Sequence, residues 1–266
     1  MGRLYDDARL AGVYQAGNEM PETSLRAWTE LIGSFSPRPA PAVVEIGCGT
    51  GMFCAAMARL LPVSSVVGVD ASAAMLVQAD RFGAHPQVRY LRGTAEAVPT
   101  SGEPFDLALL SRVIHHLPDR RACARELARI LRPDGVVVVR TTFRENLDAI
   151  VYRYWPALLA SDAERFPGRD EVLGDFASAG FSVVEVLSFA QPVTTSLRDY
   201  HARMSTRPQS KFVHLTEREF RAGLELLEAD AAVESSARPT PVGERYDVAV
   251  LARGSREPHG SYGSPG

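Results

Sequence analysis

The stretch VVEIGCGTGMF, residues 43–53, constrains the fold more than any other part of the chain. A run of apolar residues leads into three glycines that alternate with other residues, and a helix-like segment follows. Glycine permits a positive φ and leaves no Cβ between the backbone and a ligand. A strand, a glycine-rich turn and a helix in succession predict a ligand site at the carboxyl edge of a parallel α/β sheet.

The alternation of strand-like and helix-like segments continues through the first 142 residues. Strands are predicted at 42–46, 65–69, 88–91, 105–110 and 136–139, and helices at 52–61, 72–81 and 119–131. Such alternation indicates a parallel sheet with right-handed crossovers. The strand at 136–139 is four consecutive valines, which is typical of a strand buried on both faces.

The second half of the chain is less regular and sets the predicted domain boundaries. It contains a dense aromatic stretch at 145–166, a helix at 169–179, a strand at 181–189, helices at 196–204 and 216–230, and a last strand at 245–252. We therefore predict an N-terminal helical cap (1–36), a core (37–142), an aromatic lid insertion (143–168), the remainder of the core (169–254) with a helical insertion at 192–232, and a disordered tail (255–266).

Composition excludes several classes of function. The net charge of −3 gives no basic field for nucleic acid, and no apolar run approaches the roughly 20 residues of a membrane span. The N-terminus carries early acids and no apolar segment of a secretory signal, so we expect a cytoplasmic protein. Three cysteines, without metal-ligand spacing, are expected to be apolar filler. Lys211 is the only lysine, which fits the arginine-rich usage of a GC-rich genome.

The spacing of the glycines argues against two phosphate-binding interpretations. A dinucleotide fingerprint, G-x-G-x-x-G, would have its third glycine at position 52, where this chain has Met52. A Walker loop requires Gly-Lys followed by Ser or Thr, and no lysine is present here. The pattern is G-x-G-x-G, formed by Gly47, Gly49 and Gly51. The identity of the ligand must therefore be inferred from the sequence segments that follow this loop.

Four further segments follow the glycine loop in order: VVGVD ending at residue 70, GTAEAVP at 93–99, HHLPD at 115–119 and LRPDG at 131–135. Together with EIGCGTG they resemble the motifs of class I S-adenosylmethionine (SAM)-dependent methyltransferases of the small-molecule type, over residues 40–142. Three positions depart from the family pattern. The family usually has aspartate where this chain has Glu45 and Thr94, and glycine where this chain has Asp134, which is harmless in a turn.

The resemblance implies a Rossmann-like three-layer α/β/α sandwich. Its seven-stranded sheet is mostly parallel with an antiparallel last strand, and helical lid insertions are added to it. It also implies an enzyme that uses SAM, yields S-adenosylhomocysteine and needs no metal. We expect a small-molecule acceptor and no nucleic-acid or membrane partner. Methylation of an oxygen atom is slightly favoured over methylation of nitrogen or carbon. The expected context is natural product biosynthesis of an actinobacterial type, and the enzyme is expected to be a monomer or a homodimer.

The resemblance also assigns residues to the cofactor. Glu45 is expected to orient the loop and reach the SAM amino group, and Asp70 to accept the ribose hydroxyls. The hydrogen bond to the adenine amino group is expected from Thr94, Glu96 or water. The full set of predicted cofactor contacts is Glu45, Gly47, Cys48, Gly49, Gly51, Asp70, Ala71, Met75, Thr94, Ala95, Glu96, Ser111 and Arg112. For Asp70 the alternative is a simple N-cap of the following helix, and for Arg112 a salt bridge at the rim of the site.

A hydroxyl acceptor would need a base, and His115 and His116 are the candidates because their pKa range suits proton transfer. Adjacent residues on a helical turn point about 100° apart, so both cannot face the methyl group. We favour His116, and the alternative is a histidine that only packs. The predicted substrate contacts are Tyr5, Tyr14, His116, Phe143, Arg144, Tyr152, Tyr154, Trp155 and His201. The aromatic residues of the predicted lid could equally well form a hydrophobic core between the lid and the rest of the domain.

Three other classes of protein remain as alternatives. A SAM-binding protein that guides a cyclisation without methylating would show the same motifs. A nicotinamide-dependent oxidoreductase is disfavoured by Met52. A nucleic-acid methyltransferase usually has D/N-P-P-Y/F after the fourth strand, where this chain has SRVI.

Overall fold

The computed structural model describes residues 20–100, 102–207 and 210–254, which form a seven-stranded sheet flanked by helices. Tyr5 and Tyr14, most of the predicted cap at 1–36 and the predicted tail at 255–266 lie outside the described residues. Among the described residues, no helix is both long and apolar enough to cross a membrane.

The order of the strands confirms the predicted fold. The strands are β1 (Ala42–Ile46), β2 (Ser65–Asp70), β3 (Val88–Arg92), β4 (Phe105–Ser111), β5 (Leu131–Thr141), β6 (Phe181–Thr194) and β7 (Val242–Arg253). They lie in the order β3-β2-β1-β4-β5-β7-β6, with β1 to β5 parallel and β7 antiparallel to both of its neighbours. The order reverses between β1 and β4, so a crevice opens there beyond the carboxyl ends of the strands.

Helices connect the strands and build the lid. The helices of the described residues are α1 (Glu22–Ser34), α2 (Met52–Leu60), α3 (Ala73–Phe82), α4 (Arg120–Ile130), α5 (Val151–Tyr154), α6 (Ala157–Arg165), α7 (Arg169–Ala177), α8 (Leu197–Ser205) and α9 (Glu217–Val233), with short 3₁₀ turns at Ile114–His116, Arg144–Asn146 and Ser210–His214. The predicted lid insertion covers α5 and α6, and the predicted helical insertion covers α8 and α9. These four helices together are called the lid.

The strands predicted at 136–139, 181–189 and 245–252 are too short, because β5, β6 and β7 each extend further. The strand β5 begins at Leu131, because residue 131 already pairs with Phe105 before a register shift that includes Pro133. The strand β6 continues past Phe189 to Thr194, where it pairs with Val242 at the start of β7. The first residues of the predicted insertion at 192–232 therefore belong to the sheet, and Pro192 is the reason that the pattern suggested an earlier end.

The five inner strands of the sheet are buried on both faces, as the apolar runs predict, whereas the edge strands β3 and β6 are largely exposed or partly buried. In β5, Val137 and Val139 join one core cluster while Val136 and Val138 join the other, which is the period of two that a strand imposes. A third cluster lies in the lid, where α5 and α6 pack against α8 and α9 around Trp155. The lid therefore has a core of its own above the carboxyl edge of the sheet.

Candidate functional site

The glycine loop follows β1 and adopts a backbone conformation that requires glycine. Gly47, Gly49 and Gly51 have φ values of +67°, +53° and +78°. A Cβ on Gly47 would lie 2.4 Å from a methyl group of Val113, and one on Gly51 would lie 2.2 Å from the Tyr90 hydroxyl. The loop is thus held tightly against its surroundings, and its backbone faces the crevice.

Asp70, at the end of β2, is tied to the glycine loop. Its two carboxylate oxygens accept hydrogen bonds from the backbone N–H groups of Gly49 and Ser72, each at 2.8 Å. The N-cap of α3 is Ser72, whose hydroxyl accepts from the Met75 N–H at 3.2 Å. Asp70 is therefore not the helix cap, and its carboxylate is fixed beside the loop.

Glu45 is a buried carboxylate at the base of the loop. Its side chain is only 2 % exposed and accepts a hydrogen bond from the Cys54 thiol at 3.0 Å. Burial raises the pKa of Glu45 to about 8, with the Cys54 hydrogen bond opposing that rise. The group is therefore mostly protonated at neutral pH, and a cation placed against it would favour its ionised form.

The cysteines and the arrangement of possible metal ligands were predicted to be unrelated to metal binding. Cys48, Cys54 and Cys123 are buried and carry free thiols. In the parts of the chain that the structure describes, no group of three or more His, Cys, Asp or Glu side chains is placed to hold a metal ion.

The segment after β3 contains a buried carboxylate oxygen that could accept a hydrogen bond. Thr94 and Ala97 form an isolated bridge that makes a tight turn, and Ala95 packs into the core. The Oε1 atom of Glu96 is buried and has no hydrogen-bond partner. A buried, unsatisfied carboxylate oxygen at this position fits an exocyclic amino group of a purine, because such an atom is costly to leave without a donor.

A cavity extends from the glycine loop to the lid, and it brings only part of the predicted set together. Eight predicted residues line it: Glu45, Gly47, Cys48, Gly49, Ser111, Arg112, His115 and Tyr152. The predicted contacts to ribose and adenine, which are Asp70, Ala71, Met75, Thr94, Ala95 and Glu96, lie beside the cavity rather than around it, and Gly51 also does not line it. Arg112 has a φ of +56°, a strained conformation of a kind that clusters at functional sites.

The two histidines lie on the 3₁₀ turn after β4. Only His115 lines the cavity, and its ring stacks on Phe166 with centroids 4.2 Å apart. Burial is the main cause that lowers the pKa of His115 to about 2 and that of His116 to about 4, and the nearby cation Arg112 adds to both shifts. Both imidazoles are therefore neutral at neutral pH, and burial makes each of them a weaker base than a free histidine, His115 more so than His116.

Several aromatic residues predicted to contact substrate lie in cores instead of lining the cavity. Phe143 packs beneath the sheet edge, and Tyr154 and Trp155 belong to the lid core. The Tyr154 hydroxyl donates to Asp230, and the Trp155 indole donates to the Phe220 carbonyl, each at 3.0 Å. These contacts match the alternative in which the lid aromatics form a core.

Two polar residues from the predicted substrate set also lie away from the cavity. Arg144 is partly exposed and pairs with Glu171 at 2.8 Å. His201 is partly buried on α8 and is not among the residues that line the cavity.

Charged residues that the sequence analysis missed complete the cavity. Arg140 is buried in β5 with its guanidinium 3.9 Å from the ring centre of Tyr246 and 4.4 Å from that of Trp28. Asp162 and Arg165 reach the cavity from α6, and Lys211 reaches it from the turn before α9. Two signals were available: an arginine directly after four valines, and the only lysine of the chain.

Comparison with known proteins agrees with this geometry. Residues 44–139 match the family described as "Methyltransferase domain". Demethylmenaquinone methyltransferase of Staphylococcus aureus (strain JH9) is 26 % identical over 205 residues, which cover 68 % of this chain and 85 % of the relative.

Solved structures show the same fold. A putative methyltransferase from an antibiotic biosynthesis pathway of Anabaena variabilis superposes with a TM-score of 0.67 at 25 % identity, covering 84 % of this chain and 96 % of the other. The [4+2]-cyclase SpnF superposes with a TM-score of 0.61 at 17 % identity, covering 95 % and 94 %. In open α/β sheets of this kind, ligands bind at the switch point, which is where this chain has its glycine loop. Residues 44–139 are therefore a methyltransferase domain, and the relatives and the shared fold support a class I SAM-dependent methyltransferase.

Proposed function

We propose that this enzyme transfers the methyl group of SAM to a small-molecule acceptor, with oxygen favoured over nitrogen or carbon, in the cytoplasm. The observation that carries the proposal is the connection of the glycine loop, through its hydrogen bond to Asp70, with a cavity that continues into the lid. The loop would form the binding site of a nucleoside, and the cavity is where the methyl acceptor would bind beside it.

The residues present fit SAM. Asp70 would accept the ribose hydroxyls, since two backbone N–H groups already orient its carboxylate. The unsatisfied oxygen of Glu96 would accept from the adenine amino group. Glu45 would face the amino group of the methionine tail, where a positive charge offsets the cost of burying a carboxylate. When bound, SAM supplies a methyl group on a sulfonium centre.

The protein's contribution to the reaction is positioning and water exclusion. Holding an acceptor close to the methyl group and in line with it contributes up to roughly 7–11 kcal/mol in favourable intramolecular cases. Phe166, stacked on His115, closes one wall of the cavity. His115 or His116 would accept the proton of a hydroxyl acceptor in its neutral form. We retain His116 as the predicted base and add His115, because His115 lines the cavity.

A role in specialised metabolism is part of the proposal. It is supported by the resemblance to the putative methyltransferase of Anabaena variabilis, which comes from an antibiotic biosynthesis pathway.

Calorimetric titration of the purified protein with SAM and with NADH tests the proposal. We expect SAM to bind and NADH not to bind. The variant Asp70→Ala should lose roughly 1–3 kcal/mol of SAM affinity through the lost hydrogen bonds. Asp80→Ala, an exposed aspartate on α3, is the matched control and should bind like the wild type. Binding of NADH without SAM, or equal SAM affinity of the Asp70 variant and the wild type, would refute this assignment.

A further inference from the structure

The cavity as a whole carries more positive than negative groups. Among the described residues that line the cavity, the cations are Arg112, Arg140, Arg165, Arg203, Lys211 and Arg245, and the carboxylates are Glu45, Asp148, Asp162 and Glu244. Arg245 is paired with Asp148 at 2.6 Å, and Glu45 lies at the opposite end, beside the glycine loop. The chain as a whole has a net charge of −3, so this excess of cations is local.

Asp162 organises the lid side of the cavity. Its side chain is 3 % exposed, and its Oδ2 accepts a hydrogen bond from the Tyr152 hydroxyl at 2.8 Å. The same oxygen lies 3.4 Å from Lys211 Nζ, while Oδ1 lies 4.0 Å from Arg165 Nη1. One carboxylate therefore holds two cations, whose side chains are themselves only about a fifth exposed.

Other charged groups line the same space. Glu244 is a second carboxylate that acts on Lys211, and its Oε2 accepts from the Tyr246 hydroxyl at 2.5 Å. Arg112 and Arg203 line the same space and add two further cations. Positive charge that is partly removed from water is costly unless an anion lies close to it.

Arg165 has a donor that the protein does not use. Its Nη1 lies 3.2 Å from His214 Nε2, but its Nε is buried and has no hydrogen-bond partner. An unsatisfied guanidinium nitrogen next to Lys211 fits an oxygen of a carboxylate or a phosphate, since such charge-assisted bonds are the strong ones. The rings of Phe166 and Tyr152 line the cavity beside these cations.

We infer that the acceptor carries an anionic oxygen group, a carboxylate or a phosphate, which Arg165 and Lys211 bind on the lid side of the cavity. Its apolar or aromatic body then lies against Phe166 and Tyr152, between the two cations and the glycine loop. The inference rests on the proposed function, because it names the substrate class of that same site. Asp162 is a positioning residue here, since it acts through the two cations.

The test uses the full-length protein saturated with S-adenosylhomocysteine, whose binding is measured first by calorimetry. Benzoate, phenyl phosphate and the neutral control benzamide are then titrated at equal ionic strength. We expect benzoate or phenyl phosphate to bind at least tenfold more tightly than benzamide, because charge-assisted hydrogen bonds distinguish them. Whichever of the two anions binds more tightly identifies the group as carboxylate or phosphate.

Variants assign the effect to the lid cations. Lys211→Met should weaken binding of the preferred anion about tenfold or more, and Lys211→Arg should restore most of it. Arg221→Met, which removes an exposed arginine paired with Glu217 on α9, should leave the affinity unchanged. Should Lys211→Met unfold, Arg165→Gln carries the same expectation with the same control.

The outcomes separate this inference from the proposed function. Normal binding of S-adenosylhomocysteine with equal affinity for benzamide and both anions would overturn the inference alone. The same holds if Lys211→Met and Arg165→Gln bind the anion as well as the wild type does. Absence of S-adenosylhomocysteine binding would overturn the proposed function and this inference with it.

Discussion

Glu45 shows how a single buried residue links stability, pH and binding. Burial raises the pKa of Glu45 to about 8, whereas in the unfolded chain it lies near 4.5. The folded state therefore holds the proton more tightly, and this group's contribution to stability falls as pH rises from 4.5 through 8. A ligand ammonium group beside it would displace the proton, so SAM binding should tighten over the same pH range.

The variant Glu45→Gln tests this linkage, because it mimics the protonated side chain. We expect it to match the wild type in free energy of unfolding at pH 5 and to exceed it by roughly 1–3 kcal/mol at pH 8, while binding SAM more weakly. Urea unfolding at the two pH values and calorimetry with SAM measure both effects. A parallel pH dependence in variant and wild type would show that Glu45 is ionised in the folded protein.

The histidine pair gives a second prediction at the scale of single residues. His116→Ala should slow O-methylation by about 10²–10⁴-fold if His116 is the base. If the base is instead the histidine that lines the cavity, His115→Ala should show that loss, since His115 lines the cavity and His116 does not. Single-turnover rates of the two variants, each with its SAM affinity as control, distinguish the cases. Losses below about threefold in both would exclude a base on this turn.

The same histidines predict acid lability. Their pKa values in the folded protein, about 2 and about 4, lie below the ordinary value of 6.5. The unfolded state therefore binds protons first, so stability that is present above pH 6.5 falls as pH drops toward 4. The double variant His115→Gln/His116→Gln should lose less stability than the wild type between pH 7 and pH 4.5 in thermal melts. An unchanged slope would contradict the lowered pKa values.

Residues of the glycine loop were predictable from the sequence, and those of the lid side were not. Gly47 and Asp70 follow local rules, since a strand end, a positive φ and a fixed spacing define them within one βα unit. Asp162, Arg165 and Lys211 come together only because α6 packs beside the turn before α9. The local sequence of α6, or of the turn before α9, does not show that these two segments will be in contact.

At the scale of elements, two glycines test how tightly the lid helix α9 is packed. Gly223 lies within α9, and a Cβ there would fall 2.2 Å from Trp155 Nε1, whose ring is held by its hydrogen bond to Phe220. Gly174 lies in α7 with no atom within 4 Å of its Cβ position. We expect Gly223→Ala to destabilise by about 1–3 kcal/mol through overpacking, despite alanine's better helix propensity.

Gly174→Ala is the matched control for this substitution. It should stabilise by roughly 0.5–1 kcal/mol, since only the propensity term remains. Thermal and urea unfolding compare the two variants. Stabilisation by both substitutions would show that α9 and Trp155 are not packed as closely as the structure has them.

The limits of sequence reasoning also differ from element to element. The alternation of apolar strands and helices located β1 to β4 to within a residue or two. Both faces of β1, β2 and β4 are covered, which produces their apolar runs, whereas β3 is a partly exposed edge strand. The pattern failed at β5 and β6, where Pro133 and Pro192 look like breaks. Both lie at register shifts, which let a proline remain within a strand.

At the scale of the whole molecule, the sheet and the lid are unequally buried. The central strands β4 and β5 are buried along nearly all of their length between two core clusters, whereas α6 buries only Leu158 and Asp162. Local opening costs least where few apolar groups are buried. The lid helices should therefore open before the sheet does, while the cation pair around Asp162 moves with them.

Hydrogen exchange followed by mass spectrometry checks this order. Peptides covering Ala157–Arg165 should exchange well before those covering Phe105–Ser111 and 136–141, because their opening exposes less buried surface. Saturation with S-adenosylhomocysteine should protect the glycine loop, and addition of an anionic acceptor analogue should then slow exchange across Ala157–Arg165. Lys211→Met should remove the second effect and keep the first. Simultaneous exchange of lid and sheet would mean that the two unfold as one cooperative unit.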